Sequence, residues 1–326
     1  MTGDAEAIPP IQFATTNDGA RLADQDFGQQ DGPILLSVPP LAQNIEMAWE
    51  FPLLRQMLER FGSFCRCIPF DKRSTGCSAR RSKMPGIDER VEDLRAVMNA
   101  AGVERAHLFG QSEGGPMALL FAVTYPERVQ SITIFGSGAR TTPYLTGEEL
   151  VDRKRVFDML TNLWGTPQSP IVDAFSPTLA HDEDYRHWHY RYERNSADAE
   201  GLRELLELSL DTDVSDIIGD VDVPVLVLHR TGDPIVPVEL GHQAAAAVPG
   251  AKLVELEGID HFGFAGDFHA WIDEIEQFIT GAIQERPDPR PPSTPPHRHP
   301  GAIRGDLWWR RRAELGVGIA ARSPAL

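Results

Sequence analysis

Gly110-Gln111-Ser112-Glu113-Gly114 is the stretch whose reading decides the fold of this chain. It follows a short apolar, strand-like run from Ala106 to Phe109 and opens a helix-like run from Pro116 to Tyr125. A G-x-S-x-G turn between a strand and a helix reads as a nucleophile elbow. Its glycines let the backbone reverse sharply and leave room for neighbouring chain. The serine hydroxyl is lifted clear of the sheet at a helix N-terminus, where N–H groups can meet a developing oxyanion. Such a pentapeptide also arises by chance, so its strand-turn-helix setting carries as much of the reading as the motif.

The partners such a serine needs are found downstream. Pro224-Val225-Leu226-Val227-Leu228-His229 has the pattern of a buried strand and runs into Thr231-Gly232-Asp233-Pro234, placing Asp233 on a turn at a strand's carboxyl end. A second short strand, Lys252 to Leu256, leads to Glu257-Gly258-Ile259-Asp260-His261-Phe262, so His261 also follows a strand end. Catalytic groups in parallel sheets gather at the carboxyl ends of strands. Taken singly, each residue has an ordinary reading: Ser112 as a helix N-cap, Asp233 as a turn residue before proline, His261 as a loop histidine. Together, in the order Ser112, Asp233, His261, they read as a catalytic triad. Asp260 is the competing acid, but consecutive side chains diverge, so Asp233 is preferred.

These motifs resemble the α/β-hydrolase superfamily over residues from about 11 to 282. The resemblance implies a serine nucleophile, a mainly parallel eight-stranded sheet with helices on both faces, and a helical cap. Val38-Pro39-Pro40-Leu41, Ile45-Glu46-Met47-Ala48-Trp49-Glu50, Phe70-Asp71-Lys72-Arg73 and Gly110-Gln111-Ser112-Glu113-Gly114-Gly115-Pro116 are similar to one bacterial subgroup. Its members often carry the hydrolase domain in front of an adenylate/guanylate cyclase domain. Two departures matter. Relatives often read His-Gly-x after the third strand, where a backbone N–H forms half of the oxyanion hole; here Pro39 and Pro40 have no N–H to give. The donor must then come from Leu41 or Ala42, paired with the N–H of Glu113. In addition, Ser74 stands at a turn position that relatives often fill with glycine, which implies a tolerated backbone change.

The coarse map alternates strands with helices, the βαβ signature of an α/β fold. Strands are expected near Gln12–Ala14, Arg21–Asp26, Pro33–Val38, Phe64–Phe70, Ala106–Gly110, Val129–Phe135, Val225–His229 and Lys252–Leu256, the first two as a hairpin around Asn17-Asp18-Gly19. Helices over 52–61, 88–101 and 268–280 place Met57, Phe61, Leu94, Met98, Trp271 and Ile275 on inward faces. The hydrolase core is expected over 1–140 and 221–284. Residues 141–220 break the alternation and read as short helices (148–163, 183–194, 199–210), a cap over the site. This cap holds four of the five tyrosines with Trp164 and Trp188, either to line a substrate pocket or to fasten the cap.

Composition sets the outer limits. The chain has 326 residues and a net charge of −17, which argues against nucleic-acid and anionic-membrane partners. Residues 1–10 lack a signal-peptide pattern and no apolar run reaches a membrane span, so a soluble cytoplasmic protein is expected. Cys65 and Cys67, two apart on a strand, read as small buried hydrophobes on one face. His187 and His189 at i,i+2 on a helix do not converge on one ion. There is no phosphate-binding or dinucleotide motif, so neither metal nor cofactor is expected. The tail, 285–326, carries eight Arg against four acids, and 287–300 contains seven prolines, so it is expected to stand outside the core. Its composition suits out-of-frame translation of GC-rich DNA, as in a truncated or frameshifted descendant of a cyclase-fused protein.

The functional expectation is a serine hydrolase acting on a carboxylic ester or related acyl bond of a small apolar substrate. Ser112 rules against the aspartate-nucleophile members of the superfamily. Cofactor-free haloperoxidase or C–C hydrolase chemistry uses the same triad. A ligand-sensing, non-catalytic module is the reading from another class, and the double proline in the oxyanion loop favours it.

Overall fold

The computed structural model describes residues 8–80 and 84–283; the tail expected over 285–326 lies outside the described residues. A seven-stranded sheet has the order β3-β5-β4-β6-β7-β8-β9. Its strands are β3 (Phe27–Gly28), β4 (Ile34–Val38), β5 (Arg66–Pro69), β6 (Ala106–Gln111), β7 (Val129–Phe135), β8 (Val225–Arg230) and β9 (Lys252–Leu256). All neighbours are parallel except the edge pair β3 and β5.

The expectation of eight strands is corrected to seven. The first two strands, β1 (Gln12–Thr15) and β2 (Arg21–Asp24), do form the expected antiparallel hairpin, but as a separate two-stranded sheet. The chain leaves β2 after a single bridge from Asp24 to Phe70. It then swings to the edge of β5, where Gly28 takes up a φ of 87°. A Cβ on Gly28 would lie 2.3 Å from the Cys65 carbonyl oxygen, so only glycine allows this approach.

Alternation along the strands explains why both faces are covered. On β6, Leu108 enters one core and Phe109 the other; on β8, Val225 and Val227 face the first, Leu226 and Leu228 the second. The first core is closed by α2 (Ile87–Ala100) and α3 (Gly114–Thr124), through Val91, Leu94, Met98 and Phe121. The second is closed by α1 (Pro52–Gly62) and the C-terminal helix Phe268–Thr280, where Phe61, Phe109 and Phe135 surround Trp271 with ring centroids 4.7–5.5 Å apart. Cys65 and Cys67 are buried in this second core, as their spacing implied, and burial pushes the Cys65 thiol up to about 12.

Between β7 and β8 the chain forms α4 (Gly147–Leu163), α5 (Ile171–Phe175), α6 (Glu183–Ser196) and α7 (Ala199–Asp211). Asp182 and Asp198 cap α6 and α7 by accepting from Tyr185 N–H and Gly201 N–H. The aromatic residues of this segment divide between the two expected roles. Trp188 stacks on Phe51 at 4.9 Å and Tyr185 is fully buried beside it, fastening the segment; Trp164, Trp188 and Tyr192 also line the cavity above Ser112. Tyr144 stays on the surface. Helix α8 (Val238–Ala247) joins β8 to β9, and the C-terminal helix is α9 (Phe268–Thr280).

The topology itself locates the site. Strand β4 lies between β5 and β6, so the connections leaving the carboxyl ends of β4 and β6 run to opposite faces and open a crevice between them. Ser112 follows β6 and the Pro39–Ala42 loop follows β4, and Val38 pairs with Gly110.

Candidate active site

Ser112 sits in the left-handed region at φ 52°, a conformation that is uncommon for a residue with a side chain and costs on the order of 1–2 kcal/mol. The surrounding backbone overdetermines it. Its N–H donates to the Phe135 carbonyl at 3.1 Å, while its own carbonyl accepts from Gly115 N–H at 3.0 Å and from the Ser137 hydroxyl at 2.5 Å. Both glycines of the motif are required by contact. A Cβ on Gly110 would lie 2.5 Å from the Gly114 carbonyl oxygen, and one on Gly114 would lie 2.4 Å from the Val38 carbonyl oxygen.

Asp233 and His261, 28 positions apart, are brought together: His261 Nδ1 lies 2.7 Å from Asp233 Oδ2. The other carboxylate oxygen of Asp233 accepts from the N–H groups of Ile235 (2.8 Å) and Val236 (3.1 Å), which fixes the plane it presents to the imidazole. Both side chains are buried. Asp260 is directed elsewhere: its carboxylate accepts from the backbone N–H (3.0 Å) and hydroxyl (2.8 Å) of Thr178. Burial raises the Asp260 carboxyl, against those hydrogen bonds.

The histidine loop is held by groups with no local sequence signal. Arg230, at the end of β8, is buried and sends four hydrogen bonds to the carbonyls of Asp260, Phe262, Gly263 and Ala265, at 2.7–3.2 Å. The N–H groups of His261 and Phe262 both donate to the Phe175 carbonyl at the end of α5 (2.8 and 3.0 Å). Gln111, the residue before the serine, donates from Nε2 to the His261 carbonyl at 3.1 Å and so ties the elbow to the histidine. Arg230→Met, which removes a donor shared by four carbonyls and leaves Phe262 and Gly263 only the Ala265 N–H and the Trp271 indole N–H, is expected to lower stability by about 2–4 kcal/mol. It should also lower kcat roughly tenfold or more, because His261 loses its fixed position. Thermal melting and ester kinetics on the same preparation check both effects; an unchanged kcat would remove Arg230 from the positioning of His261.

Leu41 and Ala42 line the cavity beside Ser112, and Pro40 lies with them. Among the described residues, the backbone N–H groups of Leu41, Ala42 and Glu113 make no hydrogen bond. The Glu113 side chain points away from the cavity, into a buried cluster with Lys72 Nζ at 2.5 Å and Arg90 Nη1 at 2.6 Å. Burial alone would raise the Glu113 carboxyl, but the two cations bring it below its ordinary value. Burial pushes the Lys72 ammonium down to about 8 against the pull of Glu113. This cluster anchors the back of the elbow to the turn after β5. In that turn Ser74 has φ 63°, so serine does occupy the left-handed conformation that its position implied.

Ser112 and His261 open onto one cavity of about 170 Å³. Leu54, Met57, Phe109, Ile171, Trp188 and Phe264 make most of its wall apolar. His187 and His189 do not share a site: His187 is exposed, whereas His189 is buried at the cavity wall. Among the described residues there is no cluster of His, Cys, Asp and Glu able to hold a metal ion, and no helix long and apolar enough to cross a membrane.

A mostly parallel sheet with a strained serine turn at its switch point is a fold that comparison with known proteins identifies. The chain belongs to the alpha/beta hydrolase family, whose pattern matches residues 41–274. It is 26% identical over 266 residues to the bifunctional esterase/perhydrolase DCH of Acinetobacter calcoaceticus, covering 76% of this chain and 92% of that protein. It is 27% identical over 279 residues to the rhodomycin D methylesterase DnrP of Streptomyces peucetius, covering 76% and 90%. The esterase EaEST from Exiguobacterium antarcticum has the same fold, with a TM-score of 0.71 at 18% identity over 82% of this chain and 98% of that one.

Proposed function

We propose that this protein is a serine hydrolase that cleaves a carboxylic ester, or a related acyl bond, of a small apolar substrate. The observation that carries the reading is the 2.7 Å contact between His261 Nδ1 and Asp233, beside a strained Ser112 that opens onto the same cavity as His261. Ser112 Oγ attacks the carbonyl carbon while His261 Nε2 takes its proton. Asp233 keeps the Nδ1 proton in place and stabilises the imidazolium. The oxyanion is received by the N–H of Glu113 and that of Leu41 or Ala42, which are uncommitted in the free protein. His261 returns the proton to the leaving alcohol, and then activates the water that releases the acid from Ser112. Residues 1–140 and 221–284 act as the hydrolase core in this reading, and 141–220 as a cap that closes the cavity.

The names of the relatives support ester chemistry; the one named esterase/perhydrolase makes perhydrolysis a second outcome of the same acyl-enzyme. A sensing role is the rival reading. It rests on Pro39-Pro40 in the oxyanion loop and on the motifs similar to cyclase-fused proteins. Labelling with a fluorophosphonate probe separates the two. An enzyme labels at Ser112 and hydrolyses members of an ester panel graded in chain length. A protein that binds apolar ligands but neither labels nor turns over esters is a sensor.

A further inference from the structure

Glu193 on α6 is fully buried, yet it is an acid in the wall of an apolar cavity. Its carboxylate accepts from Gly165 N–H at 2.5 Å and from the Ser169 hydroxyl at 2.7 Å. One turn earlier, His189 is 2% exposed, and its Nδ1 lies 3.1 Å from Glu193 Oε1, close enough for attraction but off the hydrogen-bond line. The ring is set between Tyr185 and Phe262, with centroids 5.4 and 5.5 Å away. Nδ1 is enclosed by protein, whereas Nε2 makes no hydrogen bond among the described residues and is left to the cavity that Ser112 and His261 also line.

Other polar side chains of that wall are already committed to protein. Gln25 bridges the Pro9 carbonyl and the Trp49 indole, Gln43 donates to the Phe70 carbonyl, and Asn44 links the Met47 N–H and the Asn195 carbonyl. Nε2 is thus the ring nitrogen of this buried imidazole that a molecule in the cavity can meet, and an imidazole held in this way points to a ligand group that completes it.

We propose that the His189–Glu193 pair is a specificity subsite that binds a hydroxyl group on the substrate, away from the bond being cleaved. The chemistry follows from the carboxylate. A lone pair on Nδ1 would be repelled by Glu193, so Nδ1 carries the proton, and Nε2 is a lone pair on the neutral ring or an N–H on the charged one. A hydroxyl serves both states, as donor to the first and acceptor to the second. A substrate that fills the cavity displaces water from beside the aromatic rings around His189, so one lacking that hydroxyl leaves Nε2 unpaired in the complex, and discrimination comes from that loss. This deepens the ester-hydrolase reading and rests on it for the identity of the ligand.

The test compares methyl hexanoate with methyl hexanoates carrying one hydroxyl at carbon 4, 5 or 6. The native protein should favour at least one hydroxy ester by about tenfold or more in kcat/KM, and His189→Phe should bring that ratio to about one. His189→Leu serves the same comparison if the phenylalanine variant does not fold. In Ser112→Ala protein, binding of the same compounds is followed by quenching of Trp164 and Trp188 fluorescence, and the same preference should be present and should vanish with His189→Phe. No preference in the native protein, or one that survives loss of His189, overturns the proposal. If the binding preference holds but Ser112 neither labels nor hydrolyses, the subsite stands and the hydrolase reading alone fails.

Discussion

Ser112→Ala should lower kcat about 10⁴–10⁶-fold, or roughly 5–8 kcal/mol of transition-state stabilisation, with little change in folding stability. Without Oγ the proposed acyl-enzyme cannot form, and in that reading His261 and the backbone donors would be left to assist only a direct attack by water. The fold should tolerate the change because the elbow is held by backbone bonds to Phe135 and Gly115 and by the Ser137 hydroxyl, none of which uses the Ser112 side chain. Ser112→Gly offers a further control. It should be as inactive as the alanine variant and no less stable, since glycine adopts φ 52° without the strain that serine carries. Steady-state kinetics with thermal melting of the three proteins decides the matter. A fall in kcat of less than tenfold for Ser112→Ala would mean that another residue is the nucleophile.

The two aspartates around His261 should respond very differently. Asp233→Asn should cost on the order of 10⁴-fold in kcat, because an amide at 2.7 Å from Nδ1 favours the tautomer that leaves Nε2 protonated and unable to accept from Ser112. Asp260→Asn keeps an oxygen for the Thr178 N–H and lies outside the reacting line, so its effect on kcat should be less than about tenfold. Its measurable consequence should instead be on stability, about 1 kcal/mol through the weakened link to the segment after α5. Measuring kcat and melting temperature for both variants tests the assignment, and the reverse ranking would move the acid role to Asp260.

Much of the architecture was legible before any coordinates. Strand-like runs ending at Gly110, His229 and Leu256 put Ser112, Asp233 and His261 past carboxyl ends, and the strands end within one residue of those positions, at Gln111, Arg230 and Leu256. The hairpin around Asn17-Asp18-Gly19 and the helices over 52–61, 88–101 and 268–280 were readable for the same reason. Period, turn chemistry and caps are written within about ten residues of chain. The count of eight strands went wrong because strand propensity tells that a segment is extended, not which partner it finds. The hairpin pairs with itself, and the two-residue strand Phe27–Gly28 takes the sheet edge because Gly28 alone can approach Cys65 so closely.

Sequence by itself determined the elbow and the order of the triad candidates, since each is a matter of residue type at short spacing. Tertiary structure decided the contacts that bring those residues together. Arg230 reaches carbonyls 30 to 35 positions away, Phe175 accepts from His261 across 86, and Gln111 spans 150 to the same loop. It also turned one of two similarly spaced histidines outward and set the other against Glu193 at the cavity. A helical turn of sequence cannot distinguish them, because which side of a helix is buried depends on what the rest of the chain packs against it.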